Sequence, residues 1–426
     1  MSFLKINPKQ LNGEVKIPPS KSMAHRAIIC ASLSNGVSNI TNVDFSEDII
    51  ATINAMEALG TVINMKDNTI TVDGRNTLKN NGGVIDCNES GSTLRFLVPI
   101  SIINKNKIKF IGRGNLGKRP LDTYYKIFDD IGVKYSFNNE KLDLSIDGKL
   151  TSGDFYMEGN ISSQFISGLL FSLPLLSGDS RIIITKEMES KGYIDLTISM
   201  LKTFGIDIKN NDYKEFIIKG NQRYISRDYE VEGDYSQAAF FLCAGAIGSD
   251  VKCLGLDDNS LQGDKEILSI LEQFGAKVIK EGDGLKVIGN KLKASIIDGS
   301  QCPDIIPVVS VVAALSEGTT TINNIGRLRI KECDRLAAIS KELNKIGAKV
   351  DELEDGLIIH GVNRFKGGNV ESFDDHRIAM ALAIASTKCI EPLILKSPYC
   401  IKKSYPGFFN DFKYLGGDLN EWNMGE

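Results

Sequence analysis

The chain has 426 residues, of which 42% are hydrophobic and 24% are charged, and its formal net charge is −4. This length exceeds what one hydrophobic core supports, so we expect two domains. The small acidic excess gives no electrostatic reason to expect a nucleic-acid or membrane partner. The opening residues, MSFLKINPKQ, lack the apolar run of a signal peptide, and no apolar stretch is long enough to span a bilayer. We therefore expect a cytoplasmic protein.

The use of cysteine and histidine argues against a metal centre. The eight cysteines are scattered without a C-x-x-C pair, and the chain holds only three histidines. This pattern favours reduced thiols over a disulfide framework or a zinc site. The sequence also lacks a P-loop and a G-x-S-x-G elbow, and its formal G-x-G-x-x-G match at 112–117 runs into Lys-Arg-Pro rather than an apolar helix. We expect neither a metal nor an organic cofactor.

A sixfold internal repeat organises the chain. Each copy ends in an amphipathic run, a glycine and alternating apolar residues, which predicts a helix that ends at glycine and leads into a β-hairpin. The glycines recur at intervals of 69 to 73 residues and are Gly60, Gly132, Gly205, Gly275, Gly347 and Gly416. A more apolar helix is predicted to open each copy, near Ser22, Ser92, Ser163, Ser236, Asp304 and Asp375. The simplest repeating unit is βαβαββ, which predicts an α/β protein with three units in each domain.

The arrangement of the apolar helices has an electrostatic consequence. If three units pack around a pseudo-threefold axis, the positive N-terminal ends of their buried helices point together at one end of the domain. Two such domains facing each other would enclose a positive cleft. The first helix start is the clearest case, because Lys21, Ser22 and Arg26 follow two prolines and a serine that can cap the helix, Ser20 or Ser22. Such a place suits a phosphate or a carboxylate.

Cations near predicted helix starts far outnumber candidate nucleophiles, and they include Arg95, Arg119, Lys331, Arg335, Arg377 and Lys403. The ligands should therefore be small, multiply anionic molecules, most simply phosphorylated ones. Two segments keep more than one interpretation on residues alone. The loop 112–120, with three cations and several glycines, is either an anion clamp or a solvated loop. The charge run 327–335 is either part of a site or a solvated helix face.

Eight motifs in a fixed order resemble the EPSP synthase family of enolpyruvyl transferases (3-phosphoshikimate 1-carboxyvinyltransferases). They are PSKSMAHRA, GSTLR, KRPLD, SSQF, SKGYID, KECDRL, DDHRIAM and KKSYPGFF, and the resemblance covers essentially the whole chain. It implies an inside-out α/β barrel of two domains, each with three βαβαββ repeats. One domain would be 17–229, on the shikimate 3-phosphate side. The other would be 1–16 with 230–426, holding phosphoenolpyruvate and the catalytic residues, with the ligands in the interdomain cleft.

The resemblance also implies a reaction, which is transfer of the enolpyruvyl group of phosphoenolpyruvate to the 5-hydroxyl of shikimate 3-phosphate. It implies shikimate 3-phosphate ligands at Lys21, Ser22, Arg26, Ser162, Ser163, Gln164, Ser190, Tyr193 and Lys331. It implies phosphoenolpyruvate ligands at Lys21, Gly91, Arg119, Arg335, Arg377 and Lys403, with Gln164 at the border. Asp304 resembles the base for the 5-hydroxyl, Glu332 resembles the acid for the methylene carbon, and Lys21 serves both substrates. The expected partners are these two small molecules, and we expect a monomer.

The chain departs from the family pattern in three places. Glu89 stands two residues before Gly91, where asparagine is common, and a carboxylate there would repel phosphate, so Glu89 is not assigned as a ligand. Arg327 stands where an asparagine often contacts shikimate, and its role is open. Lys402 and Lys403 form a doublet where one lysine is expected, and the register against Ser-Tyr-Pro favours Lys403. His376 either touches phosphate or orients its neighbour.

Three alternatives stay open at this point. The first is UDP-N-acetylglucosamine 1-carboxyvinyltransferase, which shares the fold but usually carries a cysteine in the loop before the Arg-Pro that matches Arg119-Pro120, and 111–120 has none. The second is a non-catalytic binder of phosphorylated metabolites, against which Asp304 and Glu332 argue. The third is an RNA-processing relative, disfavoured by the acidic balance and the lack of a basic, aromatic stripe.

Overall fold

The computed structural model describes residues 2–79, 82–138 and 140–422. The chain divides into two compact units, which we name unit 1 (Met1–Pro18 with Gly233–Glu426) and unit 2 (Pro19–Glu232). Each unit has its own hydrophobic core. Among the described residues, no helix combines the length and the apolar character needed to cross a membrane.

The elements follow in chain order. The chain opens with two strands of unit 1, β1 (Phe3–Asn7) and β2 (Asn12–Lys16). Unit 2 then contributes α1 (Lys21–Leu33), β3 (Val37–Thr41), α2 (Glu47–Ala58), β4 (Val62–Lys66), β5 (Thr69–Asp73), β6 (Gly83–Asp86), α3 (Gly91–Ser101), β7 (Asn106–Ile111), α4 (Asp122–Ile131), β8 (Lys134–Asn138), β9 (Asp143–Gly148), β10 (Asp154–Glu158), α5 (Ser163–Ser172), β11 (Ser180–Lys186), α6 (Lys191–Thr203), β12 (Ile208–Asn211), β13 (Glu215–Ile218) and β14 (Tyr229–Glu230).

The chain then returns to unit 1. Its remaining elements are α7 (Tyr235–Ala246), β15 (Asp250–Leu254), α8 (Ile267–Gln273), β16 (Lys277–Glu281), β17 (Gly284–Ile288), β18 (Ile296–Asp298), α9 (Ile306–Ala314), β19 (Thr319–Asn323), α10 (Arg335–Lys345), β20 (Lys349–Leu353), β21 (Gly356–His360), β22 (Gly368–Glu371), α11 (His376–Ser386), β23 (Leu393–Lys396), α12 (Phe408–Tyr414) and β24 (Asp418–Trp422). Short 3-10 helices lie at Leu116–Lys118, Leu173–Leu175, Gly263–Glu266, Pro303–Ile305, Gly326–Ile330 and Pro398–Lys403.

The described strands form six sheets of four strands with one shared pattern. In each sheet two neighbouring strands are parallel, and the other neighbouring pairs are antiparallel. The sheets of unit 2 have the orders β14-β3-β5-β4, β6-β7-β9-β8 and β10-β11-β13-β12, and those of unit 1 have the orders β2-β15-β17-β16, β18-β19-β21-β20 and β22-β23-β1-β24. This is the predicted βαβαββ repeat, since a helix must cross over between neighbouring parallel strands.

Three of the six sheets are completed by strands from a distant part of the chain. Strand β14 lies parallel to β3, pairing Tyr229 with Ile40, although about 190 residues separate them in sequence. Strand β2 lies parallel to β15, and β1 lies between β23 and β24. The repeats of each unit are therefore closed by its chain ends rather than laid out as three consecutive copies.

The predicted glycine positions are confirmed as helix ends. All six repeat glycines have a positive φ, between 72° and 100°, and each follows α2, α4, α6, α8, α10 or α12. This left-handed conformation is easily reached only by a residue without Cβ. Glycine therefore recurs regularly in the sequence because each repeat ends its second helix in this conformation.

The apolar helices form the cores. In unit 1, α7, α9 and α11 pack on one another, and every residue of α7 and α11 is buried. In unit 2, α3 packs on α5, and α2 contacts both α1 and α3. Five of the six predicted starts agree with the observed helices to within one residue. Helix α9 begins at Ile306 instead, because a 3-10 turn over Pro303–Ile305 precedes it.

Candidate active site: charged clusters at helix N-termini

Serine hydroxyls cap the three apolar helices of unit 2. Ser20, Ser90 and Ser162 accept hydrogen bonds from backbone N–H groups two or three residues further on, at 3.2–3.4 Å. Of the two candidate caps for α1, Ser20 is the one used, while Ser22 lies in the first turn. Because caps satisfy only some of the first-turn N–H groups, these helix ends keep donors that suit an anion.

Arg26 is buried and joins α1 to α6. Its Nε donates to the Thr197 hydroxyl at 2.9 Å, and its Nη2 donates to the Tyr193 carbonyl at 2.9 Å. Its Nη1 donates to the Ser22 carbonyl at 2.7 Å, and its guanidinium lies over the Phe96 ring. Burial lowers the pKa of Arg26 to about 10, so the side chain remains a cation at neutral pH.

Lys21 forms an ion pair with Asp48, a residue that had no predicted role. Its Nζ lies 2.6 Å from Oδ2 of Asp48, in the first turn of α2, and both side chains are largely buried. The pair fixes the lysine beside the N-terminal end of α1. Partial burial makes this pair stronger than an exposed one.

Gln164 is oriented by two hydrogen bonds. Its Oε1 accepts from Nη1 of Arg95 at 2.9 Å, and its Nε2 donates to the Ser92 hydroxyl at 2.9 Å. The start of α3 also lies against the loop that precedes α4. A Cβ on Gly91 would stand 2.5 Å from Nη1 of Arg119, so the guanidinium packs directly on the glycine.

The remaining predicted residues of unit 2 lie at the same kind of position. Ser163 is the buried first residue of α5, and Ser190 immediately precedes α6 with a φ of 54°. The unassigned Glu89 lies against the backbone of Gly114. All ten predicted residues of unit 2 therefore lie at the starts of α1, α3, α5 and α6 or in the loop before α4.

Arg335 is the centre of the unit 1 cluster. Its side chain is 2% exposed and contacts three carboxylates: Nε lies 2.7 Å from Asp375 Oδ2, Nη1 lies 3.0 Å from Asp304 Oδ1, and Nη2 lies 2.6 Å from Glu332 Oε2. Burial opposes the charge, but the three carboxylates outweigh it and raise the pKa of Arg335. One arginine thus holds both predicted catalytic carboxylates.

Asp304 is surrounded by cations. Besides Arg335, Nζ of Lys331 lies 3.3 Å from its Oδ1, and Nη2 of Arg377 lies 3.5 Å from its Oδ2. Burial lowers the pKa of Lys331, against the effect of Asp304. Asp304 sits in the 3-10 turn before α9, where no side-chain cap is formed. Asp304 is therefore held by ion pairs with Arg335, Lys331 and Arg377.

Two more predicted cations lie beside the start of α11. Arg377 donates to the Ser236 carbonyl at 2.9 Å and to the Ser236 hydroxyl at 2.8 Å, which joins α11 to α7. Lys403 is buried, and its Nζ donates to the Asp374 carbonyl at 2.9 Å. Lys402 instead is exposed and lies over the Tyr399 ring.

The charge run 327–335 is not a solvated helix face. It forms a 3-10 turn over Gly326–Ile330 and an irregular segment, and α10 begins only at Arg335. Arg327 donates to the Ser300 carbonyl, and Arg329 pairs with Asp334 and Glu352. Of the charged residues in this run, Arg335 is the only one that is fully buried.

Sequence reasoning missed the partners that hold the predicted residues. Asp375 is completely buried, caps α11 by accepting from Arg377 N at 2.8 Å, and binds Arg335 with its other oxygen. Its place directly before His376-Arg377 marked it as a cap but not as an ion-pair partner. Asp48 and Thr197 carried no local signal, because their partners lie 27 and 171 residues away.

The fold and these clusters define a class of protein. Repeated βαβαββ units present arginines, lysines and carboxylates at the ends of buried helices, an arrangement suited to binding and transforming small anionic molecules.

Comparison with known proteins gives the family. Residues 6–412 match the model of the family described as EPSP synthase (3-phosphoshikimate 1-carboxyvinyltransferase). A relative named 3-phosphoshikimate 1-carboxyvinyltransferase, from Clostridium perfringens strain SM101, is 63% identical to this chain over 98% of this chain and 99% of that protein. One in Clostridioides difficile is 60% identical over 100% of both chains. The solved EPSP synthase from Acinetobacter baumannii superposes with a TM-score of 0.82 at 25% identity, covering 99% of this chain and 100% of that one. The chain belongs to the EPSP synthase family.

Proposed function

We propose that this chain transfers the enolpyruvyl group of phosphoenolpyruvate to the 5-hydroxyl of shikimate 3-phosphate, in the biosynthesis of chorismate and the aromatic amino acids. The products are 5-enolpyruvylshikimate 3-phosphate and phosphate. The observation that carries the proposal is the family match over residues 6–412, together with relatives of the same name at 60–63% identity over at least 98% of this chain.

The first part of the proposal assigns substrate binding. Residues 17–229 would bind shikimate 3-phosphate, through Ser22 and Arg26 on one side and the α5 and α6 starts on the other. Phosphoenolpyruvate would be held by Lys21, Gly91 and Arg119 and by cations of the remaining chain. Supporting this, Ser22, Gly91, Ser163, Arg335 and Arg377 are each the first or second residue of a helix, where N–H donors and the helix dipole favour anions.

The second part assigns the chemistry. Asp304 takes the proton of the 5-hydroxyl while the hydroxyl oxygen bonds to C2 of phosphoenolpyruvate. Glu332 gives a proton to the methylene carbon, which becomes a methyl group. In the second step a methyl proton returns to Glu332, the C2–O bond to phosphate breaks, and the enol ether double bond forms. The departing phosphate carries away the proton that Asp304 took in the first step, which restores the Asp304 carboxylate.

Arg335 connects the two carboxylates to substrate binding. Its guanidinium contacts both Asp304 and Glu332, at 3.0 Å and 2.6 Å, which stabilises their charged forms. An anionic substrate on Arg335 would offset that positive charge, and Glu332 would then bind a proton more readily. The same cations stabilise the negative charge of the tetrahedral adduct and of the departing phosphate.

The direct test is release of inorganic phosphate from shikimate 3-phosphate and phosphoenolpyruvate in a buffer containing a chelator. Phosphate should appear only when both substrates are present, together with a product whose mass equals that of shikimate 3-phosphate plus the enolpyruvyl group. The Asp304→Asn variant, which keeps the size of the side chain, is the matched control and should release far less. A wild-type protein that releases no phosphate would contradict the proposal.

Two finer assignments belong to the same proposal. We take the working partners to be these two small molecules, and we take the enzyme to act as a cytoplasmic monomer. Light scattering on the purified chain should give a mass near 46.7 kDa, and a stable mass of twice that value would contradict the monomer.

A further inference from the structure

A chain of buried hydrogen bonds joins three helices of unit 2 beside the proposed site. His25 Nδ1 of α1 lies 2.7 Å from the Thr52 hydroxyl of α2, which lies 2.7 Å from the Thr93 hydroxyl of α3. Thr93 Oγ1 in turn donates to Ser90 Oγ, the cap of α3, at 2.8 Å. All four side chains are at most 1% exposed. We call this chain, His25–Thr52–Thr93–Ser90, the relay.

The relay has a defined direction. A hydroxyl has one hydrogen to donate, and Thr93 gives its hydrogen to Ser90. Thr93 therefore accepts from Thr52, and Thr52 accepts from His25. The network thus assigns the proton of His25 to Nδ1 and the lone pair to Nε2.

The surroundings of His25 keep the ring neutral. Among the described residues its Nε2 is buried without a hydrogen-bond partner, and the ring meets Phe96 edge-on with centroids 6.4 Å apart. Burial, reinforced by the charges of Lys21 and Arg26, lowers the pKa of His25 well below its usual value. A protonated ring would place an unpaired N–H against an aromatic side chain.

The relay runs parallel to a contact of the proposed site. Lys21 and His25 are four residues apart on α1, as Asp48 and Thr52 are on α2, so the Lys21–Asp48 pair and the His25–Thr52 bond are successive contacts between the same two helices. The far end of the relay is Ser90, the residue before Gly91. The relay therefore links the helix start that carries Lys21 to the helix start that carries Gly91.

We propose that the relay positions the starts of α1 and α3 relative to each other and thereby sets the affinity for phosphoenolpyruvate, with His25, Thr52 and Thr93 as positioning residues. This inference rests on the proposed function, in which Lys21 and Gly91 both contact that substrate. The proposed shikimate 3-phosphate contacts include Lys21, Ser22 and Arg26 on α1, but none of them lies on α3. A shift of α3 relative to α1 would therefore separate the phosphoenolpyruvate contacts Lys21 and Gly91 more directly than the contacts of the other substrate. Loss of the relay should therefore weaken the affinity for phosphoenolpyruvate more than the affinity for shikimate 3-phosphate.

The test compares Thr52→Val, which removes the hydroxyl at nearly constant volume, with Thr52→Ser, which keeps it. In Thr52→Val the KM for phosphoenolpyruvate should rise by about five- to tenfold, the factor expected for one buried hydrogen bond, while the KM for shikimate 3-phosphate changes by less than about twofold. Thr52→Ser should stay within about twofold of wild type for both substrates.

Thr61 supplies a matched control in the same unit. Its hydroxyl forms a 2.9 Å hydrogen bond with Thr77 just beyond α2 and has no link to the relay. Thr61→Val should leave both KM values near those of wild type. An unchanged phosphoenolpyruvate KM in Thr52→Val, or an equal rise in Thr61→Val, would overturn the positioning role.

A second measurement does not depend on a folded Thr52→Val. Nitrogen-15 NMR of the three histidines in the wild-type chain should show His25 neutral with its proton on Nδ1 between about pH 6 and pH 8. A proton on Nε2, or a charged ring, would overturn the relay. Wild-type phosphate release tests the proposed function separately, so failure of either idea is distinguishable from failure of the other.

Discussion

Replacing Asp375 by asparagine tests how the unit 1 cluster is held together. Asp375 has two tasks that need an acceptor on both oxygens, because Oδ1 caps α11 through Arg377 N and Oδ2 binds Nε of Arg335. Asparagine offers one oxygen and one NH2 group, so one of these two donors must face another donor. The variant therefore loses either the cap or the ion pair, whichever way its amide turns.

The size of the effect follows from burial. Removing one partner of a buried ion pair costs about 3–5 kcal/mol, and the lower value applies here because Arg335 keeps Asp304 and Glu332. For a unit of about 200 residues, a loss of about 3 kcal/mol lowers the melting temperature by roughly 6–12 °C. Asp375→Ala also loses the cap and should cost about 1 kcal/mol more.

Scanning calorimetry at neutral pH measures this directly. Asp73→Asn is the control, because Asp73 pairs with Arg75 on the exposed surface of unit 2 and its loss should leave the melting temperature nearly unchanged. If Asp375→Asn melts within about 2 °C of wild type, the buried contacts of Asp375 do not stabilise the fold as reasoned.

Three further predictions follow. In Gly91→Ala, the new methyl group would stand 2.5 Å from the Arg119 guanidinium, so the phosphoenolpyruvate KM should rise at least about tenfold, with thermal stability little changed; an unaltered KM in steady-state assays would contradict this. Asp304→Ala should lower kcat far more than the affinity for shikimate 3-phosphate, measured by calorimetric titration, and near-normal turnover would remove its role as a base. His25 stays neutral in the folded chain, because its pKa is lowered, whereas the unfolded chain protonates it below about pH 6.5. The free energy of unfolding should therefore fall by about 1 kcal/mol between about pH 6.5 and about pH 5.5. Urea titrations should show a smaller loss over that range for His25→Gln, and equal slopes would contradict the assignment.

The repeat architecture could be predicted because it depends on local sequence. A glycine such as Gly132 is required wherever a helix ends in the left-handed conformation, and the requirement recurs in every copy. The assignment of β14 to the first sheet of unit 2 could not be predicted in this way. A two-residue strand carries almost no pattern, and its partner Ile40 lies far away in the sequence.

The candidate site, like the fold, could be predicted only where it depends on local sequence. Cations and serines at helix starts are visible as local patterns, and Lys21, Ser22 and Arg26 were found by that means. Their partners are not visible, since the Lys21–Asp48 and Arg26–Thr197 contacts depend on how separate helices pack. The charge run 327–335 was ambiguous for a related reason, because charge periodicity does not report burial.

The order in which the sheets are completed has a consequence during synthesis. Unit 2 is one continuous segment, so all of its strands exist once Glu232 has left the ribosome. The first strand of the chain, β1, has no partners until β23 and β24 have been made, more than 380 residues later. Since domains generally fold as they emerge, unit 2 should fold first. Strand β1 should stay unpaired until β23 and β24 have been synthesised. A ribosome-bound nascent chain stopped in unit 1 should therefore resist protease in unit 2 and be cleaved before Pro18.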